Sequence, residues 1–222
     1  MKWSKTSRSA YYSEVVYKAL RLVRSGRPGL LLSIPLYRLW WRCNGLDFTI
    51  VSIQDLGLNS ERANYHKDGG GPLLRDLLKR LEISEKDAAL DIGSGKGGAM
   101  ATLARFPFRK VDGVEISPEL VAAAQNNLAK LKLRQCRVFL ADATTFTELD
   151  EYTYIFMYNP FPAVVLEQVL ANLEASLRRK QRTVRLLYSN PLHEQVILAS
   201  NTFKKAFTYE PYPNYRISVY ES

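Results

Sequence analysis

The run Asp91-Ile92-Gly93-Ser94-Gly95-Lys96-Gly97-Gly98 places a carboxylate two residues ahead of alternating glycines. Glycines let a backbone turn tightly and approach a ligand where a Cβ would clash. Three further positions carry groups that can orient a polar ligand: Glu115, Asp142 and Asn159, the last in Asn159-Pro160-Phe161-Pro162. Carboxylates accept hydrogen bonds and attract cations, and a carboxamide offers both an acceptor and donors. A phosphate-binding P-loop does not fit, because it requires a glycine where Leu90 stands and a Ser or Thr where Gly97 stands. The dinucleotide pattern fits literally at Gly93, Gly95 and Gly98, with Glu115 downstream. Asp91 argues against it, since a carboxylate beside a pyrophosphate is repulsive.

The elements that must position these residues alternate regularly. Strands read at 88–92, 111–115, 137–141, 154–158 and 184–188, and helices at 98–105, 118–131, 162–177 and 192–199. Ser117-Pro118-Glu119 supplies a cap, a proline at the first helical position and an early acid. Gly69-Gly70-Gly71-Pro72 opens a shorter helix over 73–81. Two closing strands, 203–209 and 215–221, flank a Pro211-Tyr212-Pro213-Asn214 turn, so the last strand is expected to run antiparallel. The expected fold is α/β and Rossmann-like, with a seven-stranded, mostly parallel sheet, a C-terminal antiparallel hairpin and helices on both faces. Asp91, Glu115, Asp142 and Asn159 then fall at successive carboxyl ends of strands, where open α/β sheets bind ligands.

This layout resembles the class I S-adenosylmethionine-dependent methyltransferases, from about Tyr65 to the C-terminus. The acid-x-Gly-x-Gly-x-Gly turn is similar to their first motif and Glu115 to their second. The resemblance implies that S-adenosylmethionine binds and S-adenosylhomocysteine is released, without a metal. Asp91 would attract the cationic amino end of the methionine moiety, Gly93, Ser94, Gly95 and Gly97 would form the turn, Glu115 with Ile116 would meet the ribose, and Asp142 with Ala143 the adenine. Asp142 can equally cap the segment that follows it. Asn159, Pro160 and Phe161 are similar to the Asn-Pro-Pro-aromatic motif of nitrogen methyltransferases, although the aromatic stands one place early. Tyr65, with His66 beside it, is placed to meet the methionine end or assist deprotonation of the acceptor.

The sulfonium is an activated methyl donor, so positioning alone can supply about 7–11 kcal/mol of barrier reduction, and no catalytic triad is needed. The motif set also resembles bacterial enzymes distantly similar to the non-SET histone lysine methyltransferases. A protein lysine is therefore the first acceptor expected, with a small-molecule or lipid-linked acceptor second. A non-catalytic S-adenosylmethionine-binding protein and a nicotinamide (NAD) oxidoreductase are the alternatives from other classes.

The chain has 222 residues and a net charge of +9. Residues 1–42 hold nine basic residues and one acid, so the remainder is nearly neutral. All three tryptophans, Trp3, Trp40 and Trp41, lie in that arm, as does a helical apolar pattern over 10–24. A second apolar and aromatic piece spans 30–41, and 48–53 is strand-like amid turn signals. We divide the chain into a basic aromatic extension, 1–45, and a methyltransferase-like domain, 46–222. The arm is read as a cover over the cleft, as a binding element for an anionic membrane surface, or, third in order, as a nucleic-acid arm. Two cysteines, two scattered histidines and no apolar run of membrane-spanning length lead us to expect a cytoplasmic protein, free or peripheral on the inner membrane face, with no metal site.

Overall fold

The computed structural model describes residues 20, 22–24, 26, 28–49, 51, 69–212 and 215–222. Within them the chain forms α1 (Gly29–Cys43), α2 (Pro72–Leu78), β1 (Ala88–Ile92), α3 (Gly98–Leu103), β2 (Lys110–Glu115), α4 (Pro118–Lys130), β3 (Cys136–Leu140), β4 (Tyr154–Tyr158), α5 (Ala163–Arg179), β5 (Arg185–Ser189), α6 (Glu194–Ala199), β6 (Lys204–Tyr212) and β7 (Tyr215–Glu221). The seven strands make one sheet in the order β3-β2-β1-β4-β5-β7-β6. β1 to β5 pair in parallel, while β7 runs antiparallel to both β5 and β6. The expected mostly parallel sheet with its closing hairpin is thus the observed one.

The central strands are apolar on both faces, as a sheet covered by helices on each side requires. All five residues of β1 are buried. Side chains of alternate residues then feed two cores. Leu90 and Ile92 of β1 join Ile155 and Met157 of β4 beneath Leu166, Val169 and Leu173 of α5. Ala89 and Phe156 face the other way, toward Leu74 and Leu77 of α2, Met100 of α3 and Ala124 and Leu128 of α4. The α4 start follows its sequence signal: Ser117 Oγ accepts from the Leu120 amide at 3.3 Å, with Pro118 at the first turn. The last strand pair leaves β6 at the sheet edge, where Lys204 and Lys205 are exposed, a charge placement that discourages edge-to-edge pairing.

The N-terminal region departs from its sequence reading in detail. The apolar piece at 30–41 is a continuous helix, α1, that includes Pro35. The helix expected over 10–24 lies outside the described residues except near its end, where Leu20 and residues 22–24 are helical. The strand-like 48–53 is not an extended sheet member where it is described. Residues 46–49 carry no regular structure and Val51 makes an isolated bridge. Phe48 is buried all the same, with Leu46 against Ala101 and with its ring 5.6 Å from that of Trp41. Its apolar alternation serves a packed strap over α3 rather than a strand.

Candidate cofactor and acceptor site

The four singled-out strand ends come from β3, β2, β1 and β4, which are neighbours in the sheet. Asp91 lies between Gly113 of β2 and Phe156 of β4 in the register and is buried. Beyond it the chain turns at Gly93, Gly95 and Gly97, with φ of +76°, +52° and +80°. These left-handed conformations are costly for residues with a Cβ. At Gly93 space forbids one too, since a Cβ there would sit 2.4 Å from Pro160 Cβ. The first and fourth strand ends therefore touch through a glycine and a proline that the sequence reading assigned to cofactor and acceptor separately.

Glu115 braces the same turn. Its Oε2 accepts from the Gly95 amide, and its Oε1 accepts from the amides of Ile116 and Ser117, each at 2.9 Å. Burial pushes the Glu115 carboxyl above the ordinary range, and those three amides pull in the opposite direction without cancelling it. Ser94 points elsewhere. Its amide donates to the Val114 carbonyl at 3.0 Å, and its buried hydroxyl, which has no hydrogen-bond partner among the described residues, lies over Gly113. Asp142 Oδ1 accepts from the amide and the hydroxyl of Thr144 at 2.9 and 2.7 Å, closing a local turn beside Ala143.

Lys96, the single cation of the glycine run, pairs with a different acid. Its Nζ donates to Asp47 Oδ2 at 2.6 Å and to Thr49 Oγ1 at 2.9 Å, with its side chain 7% exposed. Asn127 completes the clamp. Its Oδ1 accepts from the Asp47 amide, and its Nδ2 donates to the carbonyls of Asp47 and Lys96. Burial raises the Asp47 carboxyl, but hydrogen bonds from Lys96 and Thr49 outweigh it and hold the group at about 2.

At the end of β4, Asn159 is buried with φ +38°, a conformation Asn tolerates better than most residues. Its Oδ1 accepts a 2.9 Å hydrogen bond from the hydroxyl of Tyr188 on the adjacent strand β5. Burial pushes the Tyr188 hydroxyl up to about 12, partly offset by the His193 amide, so it stays a neutral donor. Phe161 is buried in the same apolar cluster as Val165 and Leu166 at the start of α5. Tyr65 and His66 lie outside the described residues.

Several participants were not singled out in the sequence: Tyr188, Asp47, Asn127 and Thr102. The Thr102 hydroxyl accepts from the Gly71 amide at 2.8 Å, fixing the glycine joint ahead of α2 to α3. A signal existed for two of them. Asn127 is a polar residue on the apolar face of a helix, and Tyr188-Ser189-Asn190-Pro191 repeats the tyrosine, asparagine and proline seen at 158–160. Asn190 also has φ +50°, so β4 and β5 end in similar left-handed turns.

The arrangement fits a ligand with a cationic centre and ribose hydroxyls. Asp91, Glu115 and Asp142 stand at neighbouring strand ends, Glu115 bonds the glycine turn directly, and the lysine of the turn is engaged by Asp47 and Thr49. The comparisons agree. A family model described as a methyltransferase domain matches residues 89–180. A probable cobalt-precorrin-6B C(15)-methyltransferase (decarboxylating) of Methanococcus maripaludis is 25% identical over 100 residues, covering 43% of this chain and 55% of that protein. The release factor glutamine methyltransferase of Koribacter versatilis is 45% identical over 56 residues, 23% of this chain and 20% of that one. The chain thus spans about half, or less, of the length of these curated relatives. A SAM-dependent methyltransferase structure from Aquifex aeolicus superposes with TM-score 0.54 at 19% identity, over 66% of this chain and 87% of that one. An RNA methyltransferase of Salinibacter ruber in complex with S-adenosylhomocysteine superposes with TM-score 0.51 at 17% identity, covering 67% and 89%. The fold and the matched domain define a class I methyltransferase. Residues 89–180 match a methyltransferase domain, and the fold is that of S-adenosylmethionine-dependent methyltransferases.

Proposed function

We propose that the chain transfers a methyl group from S-adenosylmethionine to an amine or amide nitrogen. The observation that carries the cofactor half is the contrast between the converging acids and Lys96. Asp91, Glu115 and Asp142 stand at neighbouring strand ends, whereas Lys96 is held by Asp47 and Thr49. Such a site repels a pyrophosphate and attracts the ammonium and sulfonium of the methionine moiety. When bound, the cofactor supplies the activated methyl. Asp91 would hold its amino end, Glu115 its ribose and Asp142 its adenine edge, and the glycine turn would let the backbone approach.

Asn159 and Pro160 support the nitrogen half. The Tyr188 hydroxyl fixes which way the Asn159 carboxamide faces, because it pins Oδ1. Both partners are neutral, so the pair orients a neutral nitrogen and does not hold an ammonium. A lysine, with an ordinary pKa of about 10.4, would have to lose its proton before attack. An amide nitrogen needs no such prior step to present a neutral donor. The local likeness to a release factor glutamine methyltransferase points the same way. We therefore rank protein nitrogen first, as lysine or as an amide side chain, and small-molecule or lipid-linked nitrogen second.

Labelled methyl transfer into a cell lysate, fractionated into protein, nucleic acid, lipid and small molecules, tests this reading. Label in one nitrogen-containing fraction, lost with Asp91→Ala, supports it. Cofactor binding with no transfer to any fraction would favour the non-catalytic binding protein instead.

A further inference from the structure

Helix α1 carries a face that the rest of the described chain does not cover. Leu32, Leu36 and Leu39 are 70%, 60% and 57% exposed and recur at spacings of four and three. Residues so spaced share one side of a helix. The flanking side is engaged. Tyr37 lies against Gly71, Trp40 stacks near the Arg105 guanidinium at 4.8 Å, and Trp41 packs on Phe48. Tyr37, Trp40 and Trp41 are half-buried, whereas the leucines are exposed, Leu36 at the rim of the cavity between α1, α2 and α3.

Charge around the stripe has one sign. Residues 15–46 contain no acid. Arg38 and Arg42 on α1 are exposed, and so are Arg75, Lys79 and Arg105, which line a cavity of about 560 Å³ between α1, α2 and α3. Among the described residues the one acid lining that cavity, Asp76, is engaged by Arg80 at 3.4 Å and by the Tyr209 hydroxyl at 2.8 Å. Exposed leucines bordered by arginines that have no acidic partner among the described residues match the two faces of an anionic bilayer surface: acyl chains for the stripe and headgroup phosphates for the guanidinium groups. A nucleic acid would use the arginines but leave Leu32, Leu36 and Leu39 in water. At 15 residues, α1 is about 22 Å long, shorter than the roughly 30 Å hydrocarbon core, so it would lie along the surface. Among the described residues no helix is long and apolar enough to cross a membrane.

We propose that α1 docks the protein reversibly on an anionic lipid surface, with Leu32, Leu36 and Leu39 entering the headgroup boundary and Arg38 and Arg42 meeting lipid phosphates. This inference is independent of the methyl acceptor.

Co-sedimentation of the full chain with phosphatidylcholine vesicles, with or without phosphatidylglycerol, is the test. Binding is expected only with the anionic lipid and should weaken as salt rises. Leu32→Ser/Leu36→Ser/Leu39→Ser and Arg38→Glu/Arg42→Glu should each reduce it by about 10-fold or more. Because all five side chains are exposed, both variants should keep the wild-type melting temperature, which calorimetry checks. Equal binding to both vesicle types, or binding that survives the leucine variant, would overturn the proposal. So would self-association abolished by the leucine variant without vesicle binding, which would assign the stripe to a second copy of the chain. Duplex or single-stranded DNA bound through Arg38 and Arg42, with no vesicle binding, would assign the face to nucleic acid.

Discussion

Tyr188 donates its hydroxyl to Asn159 Oδ1 at 2.9 Å, joining the ends of β4 and β5 at the residue expected to meet the methyl acceptor. One carboxamide orientation is thereby selected at a position whose backbone is left-handed. Tyr188→Phe keeps the ring but removes the donor, leaving Asn159 Oδ1 without that bond. Such a loss costs about 1–2 kcal/mol, or roughly 5- to 30-fold. The expected outcome is a fall of that size in the rate of labelled methyl transfer, with S-adenosylhomocysteine affinity unchanged by calorimetry. An equal loss in both would reassign Tyr188 to general site structure.

The contact between Gly93 and Pro160 predicts a separate effect. Gly93→Ala adds a left-handed strain of about 1–2 kcal/mol and an overlap with Pro160 worth about 1–3 kcal/mol. Gly97→Ala incurs a similar strain, but its new methyl would meet Ala124 at 3.3 Å, on the helix side. Calorimetric affinity for S-adenosylhomocysteine should therefore fall by about 30-fold or more in Gly93→Ala. Gly97→Ala should lose less affinity and less melting temperature.

The Lys96 clamp predicts an order of stabilities. Asp47→Ala strands a buried ammonium, although the half-exposed position of Asp47 tempers the cost to about 1–2 kcal/mol. Lys96→Met removes the buried charge and fills the same space, which is close to neutral in many proteins. Thermal unfolding should show Asp47→Ala lowered by about 2–6 °C and Lys96→Met lowered less. The reverse order would show that the ion pair is itself a net source of stability.

Glu194 predicts a pH dependence of stability. Burial raises its carboxyl, but Lys205 at 2.8 Å, the Tyr220 hydroxyl at 2.7 Å and the Ser218 hydroxyl at 3.0 Å outweigh that and hold it at about 2. A carboxyl depressed in the folded state adds stability that is present above its ordinary range and is lost as pH falls through the folded value. Its contribution at pH 7 is at most about 3 kcal/mol. Urea midpoints should drop between about pH 5 and pH 2, and Glu194→Gln should flatten that part of the profile while lowering the midpoint at neutral pH.

The parallel order of the sheet and the placement of Asp91, Glu115, Asp142 and Asn159 were legible because both depend on local signals. Buried apolar runs set the strands, glycines and capping residues set the turns, and strand ends set the site. What stayed hidden depends on residues far apart in sequence. Asn127 bonds the Asp47 backbone across 80 positions and Tyr188 reaches Asn159 across 29. Phe48 looked like part of a strand because its neighbours alternate, yet it is buried by Trp41 and α3, a tertiary contact that no periodicity encodes. Ser94 shows the converse. It sits inside the glycine motif, but its hydroxyl lies beneath the turn rather than in the cradle.

We propose that acids at adjacent strand ends, with Lys96 held by Asp47 and Thr49, select a sulfonium cofactor over a dinucleotide. Calorimetric titration of the wild-type chain with S-adenosylhomocysteine and, separately, with NAD tests it most directly. Binding of S-adenosylhomocysteine alone is the expected result. Because burial raises the Glu115 carboxyl, that affinity should weaken as pH is lowered, starting above the ordinary carboxylate range, and Glu115→Gln should weaken it at neutral pH. Binding of NAD without S-adenosylhomocysteine would contradict the account.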